Sequence, residues 1–401
     1  MRHTGRQGLP AETADGHGGG LTGADGPGHA PVPVVVVGAG KVAHAAHLRE
    51  MRDLPRVIRP AAVIDPDPAH RAAVMAGFDR VAVCTTAQEA VWAGAQAALV
   101  LSPWWTHRDA VLGCLEAGLP VLCEKPVSLD PAEIDELAAA ERRTGVPVTA
   151  GYMKRHDPIV QFFVEHCRDN AATARRISVD IHDPNAPHLV DHLVPYPAPP
   201  YGPQPAAAQE ALGRALGPGA SGTQREVYAR GLGGSLIHQV NIVHAALEGT
   251  GRTLHGSLEH SVQWAGGSAV SCRWRPDDGL LVEVSHLRLP EHRRYRETIE
   301  FTGTDTVATL TLPSPYARDE GATLHIDTWE PDTGAATRTT HRSGPAVTGF
   351  REQLRAWARS VAWTPGAEGP PAPRRGIWPL PGLREVRADT LAVREAALRL
   401  T

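Results

Sequence analysis

The chain has 401 residues, of which 42% are hydrophobic, 21% charged and 5% aromatic, with a net charge of −4. That length suits about two domains, and the apolar share can fill a core in each, which excludes disorder of the chain as a whole. The charge excludes a strongly cationic field, and the apolar runs fall short of the roughly 20 residues of a membrane helix, so neither nucleic acid nor membrane is an expected partner.

Residues 1–30 are rich in Gly with scattered histidines (His3, His17, His29) and no hydrophobic period. A solvated, disordered tail is expected there, without the basic start and apolar stretch of a signal peptide. Order is expected from Val32. The run Val34 to Val37 is β-branched and apolar on both faces, which predicts a strand buried in a parallel sheet. Strands are then predicted at 61–64, 81–83, 97–101, 121–123 and 146–150. Helical stretches fall between them, to about Arg52, over 68–76, from Gln88, over 108–117 and over 132–143. This alternation predicts an α/β fold over residues 31–152, a doubly wound parallel sheet of the Rossmann type.

Residues 153–401 read as a second α/β domain. A helix is predicted over 158–169 and a strand over 176–181. Residues 184–230 are rich in Pro, Ala and Gly and read as a long insertion without regular structure. A helix follows over 233–247. Alternating runs at 262–264, 269–274, 280–289, 296–302, 306–312 and 323–328 predict a large, mostly antiparallel open sheet. Helices over 350–363 and 384–399 close the chain.

Composition adds two clues. Five cysteines (Cys84, Cys114, Cys123, Cys167, Cys272) form no CxxC pair, which argues for a reducing cytoplasm and against a zinc ribbon. Lysine is scarce, occurring only as Lys41, Lys125 and Lys154. Such rarity points to work that arginine cannot do, such as proton chemistry.

Gly38-Ala39-Gly40-Lys41-Val42-Ala43 has the GxGxxA form, and it follows a buried strand and opens a helix. Gly38 permits the tight turn, Gly40 lets the backbone approach a pyrophosphate, and Ala43 lets helix and strand pack closely. The helix start, with Lys41 and Val42, then presents free N–H groups to phosphate. Asp65 ends the second strand, where a carboxylate accepts from both ribose hydroxyls and repels a 2′-phosphate. No Arg directly follows it, so NAD is favoured over NADP, although Arg71 is near. Glu124-Lys125-Pro126 ends the fifth strand, on the edge where ligands bind. A lysine there can stabilise a developing alkoxide.

GAGKVAHAAHL, the Ser102-Pro103 and His107 stretch, AGLPVLCEKPVSLD and VPVTAGYMKRHDP together resemble the Gfo/Idh/MocA family of glucose–fructose oxidoreductase and inositol dehydrogenase. The resemblance implies NAD(P)-dependent hydride transfer at a secondary alcohol or ketone of a sugar, aminosugar or cyclitol. It also implies a homo-oligomer, dimer or tetramer. Its EKP lysine falls on Lys125, with Pro126 often behind a cis peptide in relatives. Ser102, Pro103, Trp105, His107 and Glu124 are implied at the cofactor, with Trp104 beside them. Tyr152, Lys154 and Arg155 are implied to line the cleft and to touch substrate.

The family's second catalytic residue is a histidine, often in an Asp-xxx-His-xx-Asp pattern. Aligned on the histidine, His238 is the general base and Asn241 a substrate contact, while Gly234 stands where the earlier Asp is usual. Aligned on the glycines instead, His244 becomes the base candidate. Imidazole is the natural proton acceptor near pH 7, which favours His238. His182, Asp183, His188, Asp191 and His192 match no zinc spacing, so no metal is expected and these residues are read as contacts to substrate or solvent. Two other functions remain open. Retained NAD with transient oxidation would serve an epimerase, lyase or glycosidase, and a protein lacking the acid at Gly234 could bind nucleotide without turnover.

Overall fold

The computed structural model describes residues 30–184, 187–196, 205–277, 279–330, 332–344, 347–362 and 379–401. The tail expected over 1–30 lies outside them except for Ala30. Val34, Val35 and Val36 are fully buried in strand β1 (Val32–Val37). Each is worth about 1.5–3 kcal/mol of burial. A π-helical turn (Ala43–His47) and α1 (Leu48–Asp53) follow the glycine turn. The alternation continues through β2 (Ile58–Ile64), α2 (Pro68–Gly77), β3 (Ala82–Val83), α3 (Ala87–Trp92) and β4 (Ala97–Val100). It closes with α4 (His107–Glu116), β5 (Val121–Glu124), α5 (Pro131–Thr144) and β6 (Val148–Gly151). All six strands are parallel, in the order β3-β2-β1-β4-β5-β6. The strand order reverses between β1 and β4, so the crevice for a ligand opens above their carboxyl ends.

The chain then enters α6 (Pro158–Asp169), whose start is capped by Asp157 accepting from the Ile159 N–H, and β7 (Arg176–Asp183). After α7 (Pro187–Val190), α8 (Ala206–Leu216), α9 (Gly222–Glu226) and α10 (Ile237–Leu247), the second sheet is completed. Its remaining strands are β8 (Leu258–Trp264), β9 (Ala269–Asp277), β10 (Leu280–Arg288), β11 (Arg296–Thr302), β12 (Thr306–Leu312), β13 (Thr323–Trp329) and β14 (Ala336–Arg342). The order is β14-β13-β12-β11-β7-β10-β9-β8, antiparallel except where β7 meets β10. Alternate residues of β10, β11 and β12 are buried and half-buried, so one face is covered and the other faces outward. The chain ends through α11 (Gly349–Ala362) and α12 (Leu383–Leu398).

Two expectations are corrected. The stretch 184–230 is not a structureless insertion, because α7, α8 and α9 lie in it. The helix expected from Gly233 begins at Gly222, after a capping box between Ser221 and Gln224. It runs through a π-helical segment (Val227–Leu236) into α10. Gly233 and Gly234 read as a helix start because of their low helix propensity. In the fold they serve close approach instead. A Cβ on Gly233 would stand 2.3 Å from Leu129 Cδ2, and one on Gly234 would stand 2.8 Å from the Ala229 carbonyl oxygen. The second correction is β14, which the sequence reading missed. Ala336–Arg342 has no buried position, so it pairs with β13 without showing an apolar alternation. Among the described residues no helix is long and apolar enough to cross a membrane.

Candidate active site

A cavity of about 840 Å³ lies between the carboxyl ends of the parallel sheet and the second sheet. All three lysines of the chain line it, together with His238. The end of β5 presents Lys125. Its ammonium donates to the Gly234 carbonyl oxygen at 2.7 Å. Burial lowers the lysine's pKa, with nearby Lys154 adding to the shift and Glu124 opposing it. Glu124 accepts from His47 Nε2 at 2.7 Å and from the Lys125 backbone N–H at 3.1 Å. Burial opposes its charge, yet the bond from His47 and the neighbouring cations hold its carboxyl below the ordinary value.

His238 projects from the start of α10, one turn beyond Gly234. Its ring makes no hydrogen bond to the described residues, and Nδ1 is buried. Burial lowers its pKa well below 6.5, and the charges of Lys125 and Lys154 push it the same way. The imidazole is therefore neutral at pH 7 and has a lone pair to accept a proton. Lys154 is held by the fully buried Glu297, which also accepts from Tyr295 Oη and, at 2.8 Å, from Gln239 Nε2. Lys154 reaches Tyr295 Oη at 3.3 Å as well.

The glycine loop sits at one end of this cavity. Gly38 has φ +87°, and a Cβ there would stand 2.4 Å from Ser102 Cα, so only glycine fits the turn. Above Gly40 a Cβ would meet nothing within 4 Å, which leaves the open backbone that a pyrophosphate needs. These residues fit a dinucleotide. Lys41, Val42, Ser102, Pro103, Trp105, His107, Glu124 and Lys125 line the cavity, whereas Gly38, Gly40 and Asp65 lie beyond its edge. Asp65 is not free as expected. Its oxygens accept from the Ala39 N–H at 2.7 Å and the Asp67 N–H at 2.8 Å, and His70 Nδ1 lies at 3.2 Å. A strap formed by residues 187–196 covers this end. Lys41 pairs with Asp191 at 2.8 Å, Tyr196 Oη donates to the Ala39 carbonyl at 3.2 Å, and the Tyr196 ring lies 4.4 Å from that of His70.

The family described as "Oxidoreductase family, NAD-binding Rossmann fold" (Gfo/Idh/MocA) matches residues 32–152. Residues 32–152 belong to the Gfo/Idh/MocA oxidoreductase family. An inositol 2-dehydrogenase of Streptomyces avermitilis is 39% identical over 126 residues, covering 31% of this chain and 36% of the relative. An inositol 2-dehydrogenase of Renibacterium salmoninarum is 29% identical over 163 residues, covering 40% and 49%. The match thus spans a third to a half of these relatives' length. Similarity of structure reaches further. The UDP-N-acetylglucosamine 3-dehydrogenase GnnA of Acidithiobacillus ferrooxidans superposes with TM-score 0.63 at 16% identity, covering 92% of this chain and 96% of that one. An oxidoreductase from Pseudomonas syringae gives 0.65 at 13%, covering 92% and 96%. At such identity the likeness concerns the fold.

Within this Gfo/Idh/MocA frame, the Lys125–Pro126 peptide is cis, as the resemblance implied. His107 stands beneath it, with Nδ1 2.9 Å from the Pro126 carbonyl and Nε2 2.7 Å from that of Ser102. Burial lowers its pKa despite these bonds, and a neutral ring donates to one carbonyl at a time.

Three residues expected to touch substrate sit apart from this lining. Tyr152, Arg155 and Asn241 do not line the cavity. They lie behind its wall, because α12 offers acidic partners there. Arg155 reaches Asn241 Oδ1 at 3.0 Å and Glu385 at 3.3 Å, and Asn241 Nδ2 donates to Asp389 at 2.8 Å. Burial and Asp389 raise the Tyr152 phenol well above its usual range. His244 joins this network through Asp389 at 2.6 Å, so His238 is the base candidate on the cavity. Asp183 also lines it, while the side chain of His188 falls outside the described residues. Among the described residues no group of three His, Cys, Asp or Glu is placed to hold a metal ion. Sequence reasoning missed Arg230, Ser235, Arg288, Tyr295 and Tyr316, all on the cavity wall. A single Arg or Tyr carries no motif, and these come together only in the fold, from the π-helical segment (Arg230, Ser235), the end of β10 (Arg288), the residue before β11 (Tyr295) and the loop after β12 (Tyr316).

Proposed function

We propose that the chain is an NAD-dependent dehydrogenase of a secondary alcohol on a sugar, aminosugar or cyclitol, or the reductase of the matching ketone. One observation carries this reading: a buried lysine and an unpartnered, neutral histidine face one cavity beside a dinucleotide loop. Lys125 hydrogen-bonds the reacting oxygen and stabilises alkoxide charge as it develops. His238 takes the hydroxyl proton. Lys154, anchored by Glu297, adds a second cation that keeps His238 unprotonated. The bound nicotinamide supplies the hydride acceptor. Asp65 at the end of β2 supports NAD over NADP. The five free, buried cysteines support a reducing, cytoplasmic setting, and the outward face of the second sheet offers a surface for a second copy.

The test is the appearance of reduced nicotinamide absorbance with a panel of cyclitols, aminocyclitols and hexoses, in wild type and Lys125→Ala. A substrate-dependent rise that the variant loses is expected. A rise that survives in the variant would overturn the role of Lys125.

The strap favours a second reading, in which NAD is retained and oxidation is transient. A ketone at one carbon acidifies the neighbouring C–H, and elimination or epimerisation follows before hydride returns. This reading expects NAD in the purified protein and turnover with none added.

A further inference from the structure

Arg288 ends β10 and lines the cavity on the side built by the second sheet. The other basic side chains of the wall are each engaged by the chain itself. Lys41 holds Asp191, Lys154 holds Glu297, Arg230 holds Glu226, and Lys125 donates to Gly234. The half-buried guanidinium of Arg288 makes no hydrogen bond or ion pair with any described residue. Asp183 sits directly beside it in the β7–β10 register, yet its carboxylate approaches His286, with Oδ2 3.6 Å from Nε2.

A guanidinium withdrawn from water with no partner costs free energy that a neutral side chain of similar shape would avoid. Other arginines on the strands of this sheet are paired, as Arg176 and Arg273 are with Glu283 and Arg338 is with Asp327. Arg288 is left facing the space where substrate binds. Its planar fork matches a two-oxygen anion and offers nothing that a neutral hydroxyl needs more than a lysine or amide would give.

We propose that Arg288 anchors an oxyanion carried by the substrate, so that the polyol is acidic: a carboxylate or a phosphoryl group sits at the end remote from the reacting carbinol. The proposal rests on the dehydrogenase reading for the carbinol end, and it adds the class of substrate. The anchor fixes which carbon meets Lys125 and His238. It also confines recognition to the second sheet, away from the cofactor loop.

Steady-state kinetics and calorimetric binding on the NAD-loaded full chain test this. The probes are a hexuronate, a hexose phosphate and the matching neutral hexose, each with wild type, Arg288→Gln and Arg288→Lys. KM and Kd for one of the two acids are expected to rise about 10- to 100-fold more in Arg288→Gln than those of the neutral sugar, the worth of one charge-assisted forked contact. Arg288→Lys is expected to recover part of that loss, with kcat changing less than KM. Which acid responds identifies the anion. Equal effects on acid and neutral sugar, or wild-type preference for the neutral one, would overturn the proposal. If an acid binds with this Arg288 dependence but no nicotinamide is reduced, the anion site stands and the dehydrogenase reading fails. Turnover of a neutral polyol indifferent to Arg288 gives the reverse.

Discussion

Lys125 Nζ stands 2.7 Å from the carbonyl oxygen of Gly234, a residue one turn before His238 on the same helix. The lysine proposed to stabilise the alkoxide is thus positioned on the backbone that carries the proposed base. Lys125→Ala is expected to lower kcat about 10²–10³-fold, the usual cost of a lost donor to developing oxyanion charge. Cofactor affinity, read by quenching of protein fluorescence, should change little. Lys125→Arg should fare no better, because a forked guanidinium cannot replace a point donor in that gap.

His238 gives a pH signature. An ordinary histidine is half protonated at pH 6.5, and burial here holds the value well below that. A base that must be neutral therefore stays active as pH falls through 6.5. The acid limb of kcat/KM, which reports the free enzyme, should lie below pH 6.5. A midpoint at or above it would show that another group is the base. His238→Asn should cost about 10²–10⁴-fold in kcat.

Gly234 stands where the resemblance places an aspartate. Gly234→Asp restores that pattern but sets a Cβ 2.8 Å from the Ala229 carbonyl oxygen. Overpacking of this kind costs about 1–3 kcal/mol. A lower melting temperature and a weaker reaction are expected, rather than a gain. Calorimetric melting of the variant checks the first, and initial rates the second.

Tyr196 lies over the glycine loop, its ring against those of His70 and His44 and its hydroxyl on the Ala39 carbonyl. Burial and the neighbouring Asp65 and Asp67 raise its phenol to about 12, so it stays a hydrogen-bond donor at neutral pH. Tyr196→Ala should speed both binding and release of NADH in stopped-flow fluorescence. Unchanged rates in both directions would place the strap outside the cofactor's route.

The parallel half was legible because buried strands are apolar runs stopped by turn residues, and the glycine loop lies in sequence order. Lysine rarity also singled out three residues, Lys41, Lys125 and Lys154, that line one cavity. What escaped was set by tertiary contact. Gly233 and Gly234 look like helix breakers until Leu129 and Ala229 are beside them. Asn241 looks like a substrate ligand until α12 brings Asp389 to it. Arg288 ends β10 and Tyr295 precedes β11, and both meet the lysines only through tertiary packing. The strap is distant in sequence from the loop that it covers.

Glu50 on α1 is nearly wholly buried and gathers Arg318, Arg351 and Thr348, while Asp53 takes the other ends of both arginines. Arg49 reaches the Tyr316 carbonyl at 3.4 Å beside them. The helix that leaves the dinucleotide loop is thereby riveted to the wall segment 314–316 and to Phe350. Opening this seam would leave the buried Glu50 carboxylate without its arginines, which is costly. Leu189 and Val190 of the strap line the same cavity, together with Pro205. The seam thus fixes one wall of the cavity, and the strap closes round another part of it.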